Sequence, residues 1–257
     1  MEIQGLHVDL DFKAKMQAAN EQPKVQIFSR SDYVFHANYG RQIQCNDTTT
    51  TSGRYYLTPE GRKYPSITTI LSKSKDQKDI DTLNRWKARV GPEEAQKITR
   101  AAANRGTALH TLVEGYIKAY GYNSVELENN QNAKLFKQIH PFLGRIGEIH
   151  IIEKALYSDI LKVAGRVDLI GEFDGKLSVI DFKTSTKVKE EHWIKDYLLQ
   201  ETFYAVAFGA LFPERIEQIV TIMAVEEGGQ PQLFIKKPGD YIDELVERVN
   251  KYNAENN

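Results

Sequence analysis

The second half of the sequence carries three strand patterns in direct succession, and this run constrains the fold more than any other feature. Alternating apolar residues and β-branched side chains predict strands over 149–157, 163–173 and 177–183. Asp174-Gly175 separates the last two strands and favours a tight hairpin, because glycine adopts positive φ without a steric penalty. These two strands are therefore expected to pair in antiparallel fashion.

A helix and two further strands follow this run. The helix is predicted over 194–212, and the strands over 218–225 and 232–236 are separated by a Gly-Gly turn. Because helices also precede the strands, the order predicts a mixed β-sheet flanked by helices. We expect one α/β domain from about residue 60 onward.

The predicted helices have recognisable starts and stops. Ser66 caps a short helix, a second helix ends at Gly91, a third runs from Pro92 to about 120 with an interruption at Gly106, and a fourth covers 133–143. The C-terminal helix is expected to bury an apolar stripe formed by Ile242, Leu245, Val246, Val249 and Tyr252.

The first 60 residues carry weaker patterns. Short strands are predicted over 25–28 and 33–35. The polar run NDTTTTSG, residues 46–53, is typical of a mobile surface loop. An irregular or helical N-terminal extension is therefore expected ahead of the sheet.

Composition excludes several classes of protein. Hydrophobic residues make up 41% and charged residues 27%, as in a globular protein with an apolar core. No apolar run reaches the length of a membrane span, and no leader pattern is visible, so we expect neither a membrane protein nor mitochondrial targeting. Cys45 is the single cysteine, so the chain can form no internal disulfide and ligate no iron–sulfur cluster through cysteines. A cytoplasmic location is expected.

Charge is distributed unevenly although the net charge is only −1. Residues 54–105 contain 12 Lys and Arg against 6 Asp and Glu, whereas residues 106–257 contain 17 against 23. This pattern fits a polyanion-binding face beside a carboxylate-rich site, and it fits two solvated surfaces equally well.

The densest chemical signal is a pair of acidic motifs on neighbouring predicted strands. Asp168 ends Gly-Arg-Val-Asp, and thirteen residues later Asp181-Phe182-Lys183 follows a buried strand. Side chains alternate along a strand, so Asp181 and Lys183 share a face. Two carboxylates and an ammonium at one point fit a Mg²⁺ or Mn²⁺ site, and Asp-x-Lys alone fits a structural ion pair.

Other polar residues could face the same point. Gln200 and Tyr204 are four residues apart on a predicted helix and therefore share a face. Glu153 alternates with apolar neighbours on the preceding strand, and His110 lies on an apolar helical stripe. Each residue alone also fits ordinary packing.

Together these motifs resemble those of one family. The order Gly-Thr-x-x-His (106–110), Glu153, Gly-x-x-Asp (165–168), Asp-x-Lys-Thr-Ser (181–185) and Gln-x-x-x-Tyr (200–204) is similar to that of RecB-type nucleases of the PD-(D/E)XK superfamily. The chain looks most like the mitochondrial genome maintenance exonucleases and their phage-encoded relatives. Pro-Ser-Ile-Thr near the N-terminus extends the resemblance, which covers about residues 55–225 and implies a restriction-endonuclease-like fold.

The resemblance implies roles for the matched positions. Asp168 and Asp181 correspond to metal-binding carboxylates, and Lys183 corresponds to the catalytic lysine. His110 and Glu153 correspond to further positions at the metal site. The implied cofactor is Mg²⁺ or Mn²⁺, without the iron–sulfur cluster of some RecB-type relatives.

The resemblance implies that the helix motif formed by Gln200 and Tyr204 helps to shape the site. We therefore predict that both residues are catalytic. The implied partner is DNA, expected to be single-stranded, with no membrane and with protein partners unknown. The expected DNA-binding residues are Lys73, Lys75, Arg85, Trp86, Lys87, Arg105, Thr184 and Ser185. Tyr64 and Trp86 are candidates for stacking on bases, although a core position for Trp86 and a solvated helix face for the lysines fit equally well.

The expected activity is hydrolysis of single-stranded DNA ends or flaps by a metal-dependent exonuclease. A structure-specific endonuclease and a non-catalytic recombination or replication accessory are the alternatives. The expected organisation is an accessory segment over 1–54 and a nuclease domain over 55–257. Within that domain we expect a helical DNA-binding part over about 55–145 and a catalytic sheet over about 146–257.

Overall fold

The computed structural model of the chain describes residues 27–28, 45–50, 53–118, 122–123 and 132–256. At its centre is a five-stranded sheet. Its strands are β6 (Ile146–Ser158), β7 (Val163–Phe173), β8 (Lys176–Ser185), β9 (Gln218–Val225) and β10 (Gln232–Lys236). They lie in the order β10-β9-β8-β7-β6, and neighbours are antiparallel except for the parallel pair β8–β9. This mixed sheet confirms the predicted fold class.

Helices cover both faces of the sheet. They are α1 (Ile67–Lys73), α2 (Gln77–Val90), α3 (Pro92–Ile117), α4 (Ala133–Leu143), α5 (Lys195–Leu211) and α6 (Ile242–Asn256). One buried apolar cluster joins the sheet to α1, α5 and α6, and a second joins the opposite face to α3 and α4. Parallel neighbours require a crossover, and α5 supplies it between β8 and β9.

Short elements complete the described fold. A three-stranded antiparallel sheet contains β2 (Asn46–Thr50), β3 (Gly53–Leu57) and β4 (Lys63–Pro65). Two-residue strands β1 (Ile27–Phe28) and β5 (Tyr122–Asn123) pair with each other. Single 3₁₀ turns, Glu191–Ile194 and Pro238–Tyr241, precede α5 and α6.

Local chemistry explains the elements that hold the site. Ser66 caps α1, since its hydroxyl accepts a hydrogen bond from the backbone N–H of Thr69 at 3.0 Å. Asp174 and Gly175 adopt φ values of 52° and 75°, which a two-residue hairpin between right-twisted strands requires. The hairpin brings β7 alongside β8.

The predicted break at Gly106 is wrong. The helix α3 runs without interruption from Pro92 to Ile117. Glycine weakens a helix by only about 1 kcal/mol relative to alanine, and the packing of Leu109, Val113 and other buried residues outweighs that cost.

One expectation for the N-terminal region and one for the C-terminal helix also need correction. Residues 46–50 form strand β2 rather than a loop, because β-branched threonines suit a strand and β3 supplies a partner. The C-terminal helix buries Leu245, Val249 and Tyr252, whereas Ile242 and Val246 remain 39% and 38% exposed at the edge of the stripe. The predicted strand 33–35 and residues 25–26 lie outside the described residues.

No helix in the described ranges combines the length and the apolar character that a membrane crossing demands.

Candidate active site

The candidate site forms where β7 and β8 separate. Their ladder ends with Leu169 opposite Ile180. Beyond that point, side chains bind the backbone of Phe182: its N–H donates to Asp168 Oδ2 at 3.0 Å, and its carbonyl accepts from His110 Nε2 at 2.7 Å. We call this diverging end of β7 and β8 the fork. Buried backbone groups need partners, so the fork holds the side chains of Asp168 and His110 in fixed orientations.

His110, Glu153 and Asp168 form a compact cluster at this fork. His110 Nδ1 lies 3.5 Å from Asp168 Oδ2 and 3.8 Å from Glu153 Oε1, and one potential ligand atom from each residue lies within 4.8 Å of the others. A carbonyl only accepts hydrogen bonds, so Nε2 of His110 carries a proton and Nδ1 faces the carboxylates. This is the usual arrangement of a metal-binding imidazole, whose second nitrogen donates to a backbone oxygen.

Glu153 reaches the cluster through an irregularity in β6. Its neighbours Ile152 and Lys154 pair with Leu169 and Val167, so Glu153 lies across from Asp168. Its φ of 49° is in the left-handed region, which costs a residue with a Cβ on the order of 1 kcal/mol. Strain of this kind is typical of functional sites.

Asp181 and Lys183 lie on the adjacent strand and form an ion pair. Asp181 is 1% exposed, and apart from this ion pair neither of its oxygens has a hydrogen-bond partner among the described residues. Burial raises the pKa of Asp181 to about 6, although the Lys183 ammonium opposes that shift. For Lys183, burial disfavours the charged form, but the carboxylates of Asp181 and Asp168 outweigh it and raise the pKa.

The charge on His110 depends on its carboxylate neighbours. Burial disfavours the imidazolium, but Asp168 and Glu153 more than offset this effect and raise the pKa of His110 to about 9. The raised pKa of His110 shows that the neighbouring carboxylates stabilise a positive charge at this site.

Gln200 and Tyr204 lie one turn apart on α5. The hydroxyl of Tyr204 donates to the carbonyl of Arg166 at 2.6 Å and accepts from Gln200 Nε2 at 3.1 Å. Tyr204 is 1% exposed, and burial raises its pKa well above the usual value. Gly165 makes room for it, since a Cβ there would lie 2.9 Å from the tyrosine ring. The pair therefore anchors the strand that carries Asp168.

Sequence reasoning missed Glu201, which follows Gln200 and is fully buried. Its Oε1 accepts a hydrogen bond from Thr221, the cross-strand neighbour of Asp181. Burial and the charge of Asp181 raise the pKa of Glu201 well above its usual range. The signal in the sequence was an acidic residue inside the apolar stretch of α5.

A groove leads to the cluster from solvent. Its volume is about 430 Å³, and it opens between α3 and β6. The lining residues are Gly106, Thr107, His110, Thr111, Glu114 and Glu153.

Some residues predicted to bind DNA already have partners. Lys75 pairs with Asp196 at 2.8 Å, and Arg105 pairs with Glu226 at 2.7 Å. Ser185 is buried and its hydroxyl donates to the carbonyl of Lys187, while Thr184 at the end of β8 is half-buried.

The remaining predicted contacts lie on or beside α2. Lys73, Arg85 and Lys87 are exposed, and Trp86 is half-buried. Lys87 and Arg100 line a second groove of about 670 Å³ between α2 and α3. These cations are therefore accessible to a polyanion.

The aromatic residues differ from expectation. Tyr64 is 8% exposed and its hydroxyl donates to Asp159, so its ring cannot stack on a base. Trp193, which sequence reasoning missed, is 57% exposed in the turn before α5. One helical turn later, the ring of Tyr197 lies 5.1 Å from the ammonium of Lys183.

The cluster at the fork suits a divalent cation. Two carboxylates and an imidazole nitrogen supply donors that Mg²⁺ and Mn²⁺ accept. Asp181 lies outside this group of three, where it pairs with Lys183 and interacts electrostatically with Asp168 and His110.

The comparison with protein families agrees with this geometry. Residues 137–249 match the model of the PD-(D/E)XK nuclease superfamily. This segment is similar to the nuclease domains of that superfamily. The matched segment contains Glu153, Asp168, Asp181 and Lys183, whereas His110 reaches the same site from α3, ahead of that segment. The resemblance noted from the motifs is thereby confirmed.

Curated relatives point in the same direction. The chain is similar to the proteins named mitochondrial genome maintenance exonuclease 1 from human (26% identity over 129 residues, 49% of this chain and 38% of the relative) and mouse (25% over 180 residues, 68% and 52%). The Xenopus tropicalis protein of the same name is 29% identical over 151 residues, 57% of this chain and 43% of that protein. The chain spans about half or less of the length of these relatives.

Proposed function

We propose that the chain is a metal-dependent deoxyribonuclease that removes nucleotides from single-stranded DNA ends or flaps. The observation that carries the proposal is the fork between β7 and β8. There the cluster of His110, Glu153 and Asp168 lies beside the buried pair Asp181–Lys183. The similarity to proteins named as exonucleases supports DNA hydrolysis from an end.

The residues divide the chemistry of phosphodiester hydrolysis among them. His110, Glu153, Asp168 and Asp181 would hold Mg²⁺ or Mn²⁺, which when bound acidifies a water molecule and neutralises charge on the phosphate. Lys183 keeps its proton at neutral pH and donates to an oxygen on which negative charge develops. No covalent intermediate with the enzyme is needed.

Substrate access supports a single strand. The groove of about 430 Å³ is lined by α3 residues that include Gly106 and Thr107, and it opens directly on His110 and Glu153. Lys87 and Arg100 offer cations for the phosphates along the neighbouring groove, and Trp193 offers an exposed ring on which a base can stack. Stacking requires unpaired bases, which a single-stranded end presents.

The test uses end-labelled linear single strands, duplexes, flaps and a closed single-stranded circle, each with Mg²⁺, with Mn²⁺ and with EDTA. We expect cleavage of linear strands with either metal, an intact circle, and no cleavage in EDTA. Cleavage of the circle would identify an endonuclease instead. Binding without cleavage of any substrate would identify a non-catalytic DNA-binding accessory.

A further inference from the structure

The carboxylate of Glu201 is the most unusual buried group near the site. It lies on α5 with no exposed surface, among apolar residues such as Leu198 and Phe203. Thr221 donates to one of its oxygens, but the other, Oε2, has no hydrogen-bond partner among the described residues. A buried polar atom without a partner destabilises the folded state, so an apolar residue here would be better for stability.

The sheet places Glu201 beside the pair Asp181–Lys183. Thr221 is opposite Asp181 in the parallel β8–β9 ladder, and Lys183 is two residues further along β8 on the same face. Glu201 binds Thr221, so its carboxylate lies over the same part of the sheet. The charge of Glu201 also contributes to the raised pKa of Lys183.

If the proposed function holds, the ammonium of Lys183 needs a second partner besides Asp181. Its ammonium is paired with Asp181. A divalent cation bound by Asp181 would repel that ammonium, and a buried ammonium needs an anionic or polar partner. Glu201 Oε2 is a buried oxygen over this face of the sheet without a hydrogen-bond partner among the described residues, so it is able to accept from the ammonium.

We propose that Glu201 is a positioning residue that receives the Lys183 ammonium when Asp181 binds the metal ion, and so holds it beside the reacting phosphate. This inference rests on the proposed function. Glu201 does not itself touch substrate in this role. It lowers the cost of releasing Asp181 to the metal and keeps Lys183 in place.

The variant Glu201→Gln tests the role with little change in shape, because its amide oxygen still accepts from Thr221. Glutamine offers Lys183 no carboxylate, so the ammonium should stay with Asp181, and we expect the affinity for Mn²⁺ to fall about tenfold. Calorimetric titration with Mn²⁺ in the absence of DNA measures this directly. We also expect kcat to fall about tenfold or more while KM changes less than twofold.

Thr221→Val is the matched control, since it removes the hydrogen bond to Glu201 but keeps the charge. A merely structural Glu201 would make both variants less stable and leave the Mn²⁺ affinity of both unchanged. Mn²⁺ affinity of Glu201→Gln within twofold of the unmodified chain overturns the inference, and the proposed function stands if that chain cleaves DNA. An unmodified chain that neither binds Mn²⁺ nor cleaves DNA overturns the proposed function first.

A structure of the unmodified chain crystallised with Ca²⁺ provides a measurement that needs no variant. Lys183 Nζ within hydrogen-bond distance of Glu201 Oε2 supports the inference. Lys183 still paired with Asp181 while the ion is bound overturns it, even if Glu201→Gln fails to fold.

Discussion

The backbone N–H of Phe182 donates a hydrogen bond to the carboxylate of Asp168, 3.0 Å away, at the point where their strands stop pairing. A regular ladder would place a backbone carbonyl there. Because the strands diverge, the carboxylate of Asp168 accepts this hydrogen bond instead. The imidazole of His110 donates to the carbonyl of the same residue, Phe182. The divergence of two strands thus builds the candidate site, and several predictions depend on it.

Lys183→Met should abolish most of the nuclease activity. The side chain keeps its apolar length but loses the ammonium that faces Asp181, so we expect kcat to fall by about 100-fold or more. A cleavage assay on a labelled single strand at saturating substrate measures the effect. Lys187→Met is the control, because Lys187 is 75% exposed and only loosely paired with Glu227. Equal rates for the two variants would contradict the role of Lys183.

Divalent cations should stabilise the folded chain through Asp168. At a concentration one hundred times the Kd, Mn²⁺ should add about 2.7 kcal/mol to the free energy of unfolding. Thermal unfolding with and without Mn²⁺ measures the shift, and Asp168→Asn should remove most of it. Asp174→Asn is the control, since Asp174 lies in the hairpin and pairs with Arg145. A shift that persists in Asp168→Asn would place the ion elsewhere.

Trp193 should report the binding of unpaired bases. The chain has two tryptophans, so Trp86→Phe leaves Trp193 as the only one. Its fluorescence should be quenched by a thymidine oligonucleotide in Ca²⁺, and Trp193→Ala should weaken binding by about 1–3 kcal/mol. An abasic strand of equal length carries the same phosphates without bases. Equal quenching by both strands would rule out stacking.

Gly106→Ala and Gly165→Ala should change stability in opposite directions. A Cβ at Gly106 meets no atom within 4 Å inside α3, so alanine should raise the free energy of unfolding by about 1 kcal/mol. A Cβ at Gly165 would lie 2.9 Å from the ring of Tyr204 and 3.0 Å from Ile67, so alanine should lower it by about 1–3 kcal/mol. Urea denaturation of both variants measures the difference. A destabilised Gly106→Ala would mean that α3 is constrained at this position by something other than packing.

The sequence was sufficient for most of the fold. The predicted strands of the central sheet and the helix over 133–143 are present because each has a strong periodic pattern and clear boundaries, such as the Asp174-Gly175 turn. The prediction failed where local propensity was the only guide. Gly106 lies inside a continuous helix, and the threonine run 46–50 is a strand, because packing and a partner strand outweigh residue preference.

For the site, the order of the motifs was enough to identify Asp168, the Asp181–Lys183 pair and His110 as the available residues. Tertiary structure decided their arrangement. It places His110 in hydrogen-bond contact with the sheet and gives Glu153 a left-handed backbone that directs its side chain to the site. It also buries Glu201 at Thr221, the neighbour of Asp181. The reason is physical: motif spacing records neighbours along the chain, whereas ion pairing and desolvation depend on distances through space, which the packing of α3 and α5 on the sheet alone fixes.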